Sequence, residues 1–472
     1  MNIQNLDIKQ HINTYYRSYA IYVIESRGIP NFYDSLTPVQ RLVLLNAPEK
    51  FDKTIALVGK VLGTKLYHHG DMSLTGAINK LARPFGCSEQ LLQGDGFFGS
   101  PVSPRPSASR YTEVKISKFA KDHIDRYADI NVKNDEGGYD WIHLDAPIGL
   151  STHIVGIAVG YSSSILPRKA SDVLEYLEGK PKQLKPYFKD FDGKITKHKE
   201  VNSGWIIEGV TTRDDAKMTI HVQSLPPLMR YDSFIRKMFE KITLLGDHAR
   251  VENNSTTDTN LIIKWTDVAT WNEFADVIDK LTKIVVVESI IFVRDGVVVV
   301  YDQLSDYLDE FKVHRQQVIH KKMEFDLQVM NDELDFLRAK LEFLKFMMAK
   351  KRKNEEIKLW MKDYSAKIRT RLDGIKLTAL SEETVKETEK LIKDMIAQIA
   401  DQKKTVSIQL SVVKQAQKDY KGKGKVAMAK ASPLFDEPVA ALNGIEVFAP
   451  DSEELPDLAQ DDNTEDNDDE TI

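Results

Sequence analysis

The longest regular pattern of apolar and polar positions lies in the second half of the chain. Met323, Leu327, Met330, Leu334, Leu337, Leu341, Leu344 and Met348 alternate steps of four and three residues without a break. That spacing keeps one apolar stripe on a helix and is the heptad seam of a coiled coil. A second seam runs through Val385, Thr388, Ile392, Met395, Ile399, Gln402 and Val406. Between them lie the basic run Lys350-Lys351-Arg352-Lys353 and Trp360. Two such seams predict a long antiparallel coiled coil with a small globule at its tip, over residues 306–422. Periodicity leaves open whether this arm is a spacer or a dimer contact.

Upstream the period changes to two. HIVGIAVGYSS, GWIIEGVTT, KMTIHVQSL, NLIIKW and KIVVVESIIFVRDGVVVVYDQ all read as strands, and Asp295-Gly296 between apolar runs marks a hairpin. Residues 151–305 are therefore expected to form one α/β domain on an antiparallel or mixed sheet. Residues 1–150 are mixed. Thr37 and Pro38 are a helix start, and TPVQRLVLLNAPE, KTIALVGKVLG and DMSLTGAINKLA are three short helical patterns. Such a trio fits a helix-turn-helix unit. A loop of glycines, prolines and serines over residues 93–114 interrupts regular structure to about Ala108, and a strand is expected from near Arg110. The expected fold class is α+β multidomain.

Length changes this picture little: 472 residues allow roughly three domains. No apolar run approaches the roughly 20 residues needed to span a bilayer, and the N-terminus lacks the pattern of a signal peptide. A single cysteine, Cys87, excludes an internal disulfide framework and a multi-cysteine zinc site. These features lead us to expect a cytoplasmic protein with no membrane association. Charge matters more. The formal net charge is −6, yet the stretch from Asp451 onward carries eleven acidic residues and no lysine or arginine. Removing those eleven charges leaves +5 for the remainder. Residues 423–472 are expected to be a disordered acidic tail, either a solvating segment or a competitor for basic, DNA-binding surfaces.

The candidate chemistry centres on Tyr111, one of seventeen tyrosines. A tyrosine taken at random is a packing residue. This one follows a flexible loop and has Arg110 beside it, a cation able to neutralise a phosphate. A phenol with an ordinary pKa near 10 needs such help to attack phosphorus at neutral pH.

Five motifs stand in order: YAIYVIESRGIPNFYDSLTPVQR at 19–41, YHHGD at 67–71, GDGFFGS at 94–100, SRYTE at 109–113 and GIAVGYSSSILP at 156–167. Together with the helical arm they resemble the cleavage subunit of type IIA DNA topoisomerases, the gyrase A and topoisomerase II family. That resemblance implies a winged-helix DNA-cleavage domain, an α/β tower domain over 151–305 and a coiled-coil gate. It also implies that Tyr111 forms a transient phosphotyrosine bond with DNA, assisted by Arg110, Arg27 and His69. Arg41, Lys65 and His68 would contact DNA, and Ile165 would wedge between base pairs. Read as residues alone, His69 is a satisfied histidine, Lys65 a surface charge and Ile165 a core residue before Pro167. Thr37 stands where bacterial members carry lysine, and Met72 where they carry serine.

No clustered Asp-x-Asp motif of the kind that marks the family's metal-binding domain, and no phosphate-binding loop, are found in the chain. The resemblance then implies that Mg2+ and ATP are held by partner subunits, and that this chain contributes no metal site of its own. It implies a homodimer within a larger hetero-oligomer acting on double-stranded DNA, without a wrapping domain for negative supercoiling. The mixed motif forms are similar to the phage branch of the family, the medium subunits of T4-like topoisomerases, which would place the protein in a bacterial host's cytoplasm. The alternative kept open is a catalytically inactive DNA-bending protein on the same fold. A coiled-coil scaffold of another kind would bind DNA with little salt dependence. A tyrosine recombinase would need its tyrosine near the C-terminus.

Overall fold

A computed structural model describes residues 8–244, 248–350, 352–375, 380–420, 422 and 424–428. The chain enters through a helical arm comprising α1 (Ile8–His11), a π-helical segment (Ile12–Tyr16), α2 (Arg17–Val23) and a second π-helical segment (Ile24–Gly28). The three predicted helices follow as α3 (Pro38–Asn46), α4 (Thr54–Gly63) and α5 (Asp71–Ala82). Helix α3 begins where its sequence said it should. Thr37 is extended and donates its N–H to Gln40 Oε1 at 2.9 Å, while Pro38 occupies the first turn.

These helices pack on a small antiparallel sheet of β1 (Asp52–Lys53), β2 (Leu92–Asp95) and β3 (Glu113–Ile116), with β3 in the centre. Strand β2 takes Gln93, Gly94 and Asp95 out of the expected irregular loop, because each pairs with β3. Leu57, Val61, Leu74, Ile78, Leu92 and Val114 close the core between helices and sheet. Helix α6 (Lys118–Arg126) is capped by Ser117, whose hydroxyl accepts from Ala120 N–H at 3.1 Å.

Among the described residues the strands of the predicted region pair with one another antiparallel, but they do not form one sheet. Strands β4 (Ile154–Ala158) and β5 (Tyr161–Ile165) form a hairpin, and α7 (Ala170–Leu177) follows. Strand β7 (Gly204–Glu208) lies between β6 (Lys194–Lys197) and β12 (Lys283–Val287). A separate four-stranded sheet has the order β10 (Ala249–Asn253), β11 (Leu261–Trp265), β9 (Thr219–Ser224), β8 (Val210–Asp214). It packs against α8 (Tyr231–Thr243) and α9 (Val268–Leu281) through Phe234, Met238, Trp265 and Trp271.

Strands β13 (Ile290–Arg294) and β14 (Val297–Tyr301) meet at Asp295-Gly296, both at positive φ (51° and 76°), as the hairpin signal requires. This hairpin belongs to a sheet of its own, although Ser289, just before β13, bridges to Ser164 of β5 through two hydrogen bonds of 2.9 Å. Asn31 bridges to Val293, and Phe292 stacks on Tyr307 at 4.1 Å, tying the hairpin to the end of the arm and the base of the long helix. A third strand, β15 (Lys425–Met428), pairs with β14. The expectation that disorder begins at residue 423 is thus corrected for these four residues. The acidic tail itself lies outside the described residues.

Helix α10 (Leu304–Ala349) and α13 (Glu382–Asp419) are the two long helices. They run antiparallel: Gln409 Nε2 donates to Gln316 Oε1 at 2.8 Å near one end, and Lys345 pairs with Glu389 at 2.8 Å near the other. Every position of the second predicted seam is buried or half-buried, and the stripe continues through Gln409, Val413 and Ala416. The first seam is covered up to Leu344, and Met348 is exposed. Between the long helices, α11 (Asn354–Met361) and α12 (Ala366–Asp373) pack against α10 through Met361, Leu372, Phe336, Ala339 and Phe343. Among the described residues no helix is long and apolar enough to cross a membrane.

Candidate active site

Tyr111 sits two residues before the central strand of the three-stranded sheet. A tight turn presents it: Tyr111 N–H donates to the Ala108 carbonyl at 2.8 Å. Its neighbour Thr112 is buried, with its Oγ1 2.8 Å from Thr54 Oγ1 and its carbonyl accepting from Thr54 N–H at 2.9 Å. The start of α4 thereby clamps the strand while the tyrosine projects outward, 66% exposed. The loop before it is shaped by two close approaches. Gly94 lies beneath the Phe98 ring, and Gly96, at φ 97°, passes under the Tyr111 and Thr112 backbone. A Cβ at Gly94 would meet the Phe98 ring at 2.5 Å, so this glycine cannot acquire a side chain without moving that ring.

The Arg110 guanidinium carbon lies 4.8 Å from the Tyr111 ring centroid. A hydrogen bond from Arg110 and then its positive charge hold the phenol below its usual pKa. The pair is matched to phosphoryl chemistry: an accessible oxygen nucleophile biased toward phenolate, with a cation that can also neutralise charge on the attacked phosphate.

Arg27 and His69 form a second pair. Arg27 is exposed at the end of the arm, and His69 precedes α5, its ring edge-on to Tyr67 at 5.4 Å. Burial, then the charges of Arg27 and His68, push the His69 pKa down. His69 is therefore a neutral imidazole at pH 7, able to donate or accept a hydrogen bond. No contact joins this pair to Arg110 and Tyr111 among the described residues of one chain.

The turn carrying Arg27 is fixed by its neighbour. Gly28 and Gly156 meet backbone to backbone, and a Cβ at Gly156 would lie 2.0 Å from the Gly28 carbonyl oxygen. The β4–β5 hairpin thus seats the arginine. Sequence reasoning missed this contact, although glycine appears at the relevant place in both motifs.

The proposed DNA contacts divide. Lys65, at φ 61°, and His68 are exposed and free to meet a duplex. Arg41 is not. It is 3% exposed and held by Asp34, at 2.6 Å from Nε, with Nη2 also donating to the Leu36 carbonyl at 3.2 Å. Its assignment as a phosphate contact is corrected: it is a structural cation beneath the surface. Ile165 is also corrected. It is 0% exposed, pairs with Ile154 and packs with Phe32, Leu150 and Phe292, so in this structure it cannot reach a base step. Side chains alternate along a strand, and the outward isoleucine of the same hairpin is Ile157, 67% exposed.

Among the described residues, no group of three or more His, Cys, Asp or Glu is gathered to hold a metal ion.

Comparison with known proteins agrees with this architecture. The chain is similar to the DNA topoisomerase medium subunit of Enterobacteria phage T4, 30% identical over 261 residues, which are 52% of this chain and 58% of that protein. It is 34% identical over 183 residues to the DNA gyrase A protein of Kosmotoga olearia, covering 36% of this chain and 22% of that protein. The chain thus matches little more than half the length of the first relative and about a fifth of the second. In fold it resembles the DNA-binding, cleavage and re-ligation domain of Plasmodium falciparum topoisomerase II, with a TM-score of 0.71 at 20% identity over 85% of this chain and 63% of that one. A family model for the A-type subunits of DNA gyrase and topoisomerase IV matches residues 27–421, and the chain belongs to that family of type II topoisomerases.

Proposed function

We propose that this chain is the DNA breakage-and-rejoining subunit of an ATP-dependent type II topoisomerase. The observation that carries the reading is the exposed Tyr111 phenol with Arg110 lowering its pKa. The Tyr111 oxygen attacks a backbone phosphorus; the bond to the departing sugar oxygen breaks as the phosphotyrosine bond forms. The departing oxygen takes up a proton. Rejoining reverses the exchange, so the phosphodiester energy is kept and resealing needs no nucleotide.

Arg110 neutralises charge on the phosphate as it is attacked. Arg27 and His69 act on the same phosphate, or hold it in line, when an isologous dimer brings the two pairs of residues together. Three short helices on a three-stranded sheet support a winged-helix reading, and the two long helices support a coiled-coil gate. Lys65 and His68 meet the duplex. Mg2+ and ATP belong to partner subunits in this reading, so no step is assigned to either within this chain. Relaxation or decatenation follows, in the cytoplasm of a bacterial host.

The test is covalent trapping. The chain is mixed with candidate ATPase and metal-binding partners, magnesium and supercoiled plasmid, stopped with detergent, and the DNA-linked peptide is mapped. A link at Tyr111 that disappears in Tyr111→Phe is expected. An active assembly linked through another residue, or through none, would overturn the assignment.

A further inference from the structure

The far end of α5 gathers positive charge that the breakage chemistry does not use. Lys80 lies in its last turn and Arg83 caps it. The chain then doubles back. Cys87 Sγ lies 3.6 Å from the Arg83 carbonyl, Cys87 bridges to Thr152, and Ser88 N–H donates to the Ser151 carbonyl at 2.8 Å. That seam brings His153 to the end of α5. Arg83 is fixed there: its Nε donates to the Phe85 carbonyl at 3.2 Å, and its guanidinium covers the Phe85 ring at 4.6 Å.

What these groups lack is a counter-charge. His153 Nε2 is shielded from solvent and has no hydrogen-bond partner. Among the described residues no hydrogen bond or ion pair holds the Lys80 ammonium. Burial and then Arg83 pull Lys80 down to about 8, while burial, Lys80 and Arg83 push His153 to about 3. Glu89 and Asp190, both exposed, act with Lys189 on Cys87, whose buried thiol is raised to about 11. No carboxylate acts on Lys80 or His153. Lys80 and Arg83 are half-buried; an unpaired charge partly withdrawn from water is costly, and an anion would offset the cost.

We propose that Lys80, Arg83 and His153 form a receptor for one backbone phosphate of bound DNA. The proposal rests on the DNA-breaking reading above. Phosphoryl oxygens would accept from the Lys80 ammonium and the free guanidinium N–H groups of Arg83, and His153, whose Nε2 is shielded from solvent, would back them.

The test measures duplex affinity of the full-length chain against salt for the wild type, Lys80→Gln and His153→Gln, alongside the melting temperature of each free protein. For Lys80→Gln we expect affinity to fall about tenfold and the slope of log K against log salt to shrink by about 0.9, the share of one phosphate. The free variant should melt no lower than the wild type, because an unpaired half-buried charge is gone. His153→Gln should weaken binding with the slope unchanged. Unchanged affinity and slope in Lys80→Gln would overturn the proposal. So would stabilisation of the wild type by inorganic phosphate, at fixed ionic strength, with duplex binding indifferent to Lys80, since the corner would then hold a free anion. Covalent trapping at Tyr111 separates the two readings. An adduct with no effect of Lys80 refutes the receptor alone. A lost slope without an adduct refutes the breakage reading and leaves the receptor standing.

Discussion

Asp34 holds the Arg41 guanidinium through both carboxylate oxygens, at 2.6 Å to Nε and 3.1 Å to Nη2. Both side chains are buried, and the Asp34 oxygens also accept from the Leu36 and Ile142 N–H groups. The pair joins the start of α3 to the segment before the β4–β5 hairpin. Arg41→Ala should therefore act on stability. Removing one partner strands a buried carboxylate, a loss of about 3–5 kcal/mol. Denaturant unfolding checks this. The salt slope of duplex binding should not change in the fraction that stays folded, whereas a phosphate contact would reduce it by about 0.9.

Tyr111 and Arg110 should respond in the opposite way. Both are exposed, so Tyr111→Phe should abolish the covalent adduct and leave the melting temperature unmoved. Arg110→Ala removes the hydrogen bond and charge that lower the phenol's pKa. Its rising limb of adduct formation should therefore move to higher pH. A limb at the same pH in Arg110→Ala, measured as initial adduct rate from pH 6.5 to 10, would show that Arg110 does not tune the nucleophile.

A parallel argument covers the second pair. Arg27 is one of the charges that lower the His69 pKa, after burial. Arg27→Ala should raise that pKa toward its ordinary value near 6.5. The ring resonances of His69, followed by NMR titration, report the shift directly. An unmoved titration would place Arg27 too far from His69 to share a phosphate with it.

How much of this was legible in the chain depended on the kind of signal. The second heptad seam was readable residue by residue, because a 3.5-residue period keeps the same positions covered along the whole helix. Phe336, Ala339 and Phe343 were not, since they are buried by α11 and α12 rather than by the seam partner. Arg41 was misread because an arginine in a DNA-binding motif looks the same whether or not Asp34, seven positions earlier, holds it. Ile165 carried a usable signal. Counting back from the Val159-Gly160 turn, the hairpin register pairs Ile165 with Ile154 and leaves Ile157 on the opposite face. The Lys80, Arg83 and His153 corner had none, for it depends on a backbone bridge between Cys87 and Thr152.

Acid should destabilise the fold through buried histidines. Burial holds His314 near 3, with His143 and Lys321 adding to the effect, and burial and then Lys321 hold His143 near 4. His143 Nε2 lies 3.1 Å from Lys321 Nζ and accepts from it, while Nδ1 faces Asn131 Oδ1 at 2.9 Å. With folded pKa values depressed below about 6.5, the unfolded chain binds more protons between pH 4 and 6.5. The stabilisation is thus full above about pH 6.5 and is lost as pH falls toward 4. His143→Gln should remove close to one proton from the uptake on unfolding in that window. Calorimetry in buffers of different ionisation enthalpy measures it, and an uptake equal to the wild type's would refute the assignment.

The contact between Gly28 and Gly156 makes the sharpest separation of structure from chemistry. Gly156 lies on β4 with its Cα facing the end of the arm, and an added methyl would stand 2.0 Å from a carbonyl oxygen. Backbone cannot rotate away as a side chain can, so Gly156→Ala must push the hairpin and the Arg27 turn apart. Overpacking of this kind costs about 1–3 kcal/mol. The displacement should also move Arg27 away from His69, lowering adduct formation at Tyr111 more than the loss of folded protein explains. Gly59→Ala is the control. It lies on the exposed face of α4 with nothing within 4 Å of the new methyl, and should gain about 0.5–1 kcal/mol from helix propensity with adduct formation unchanged. If Gly156→Ala cleaves DNA at wild-type rate per folded molecule, the hairpin does not position Arg27. Cleavage that falls with the His69 pKa raised, as in Arg27→Ala, would show that one glycine contact sets the geometry of the second catalytic pair.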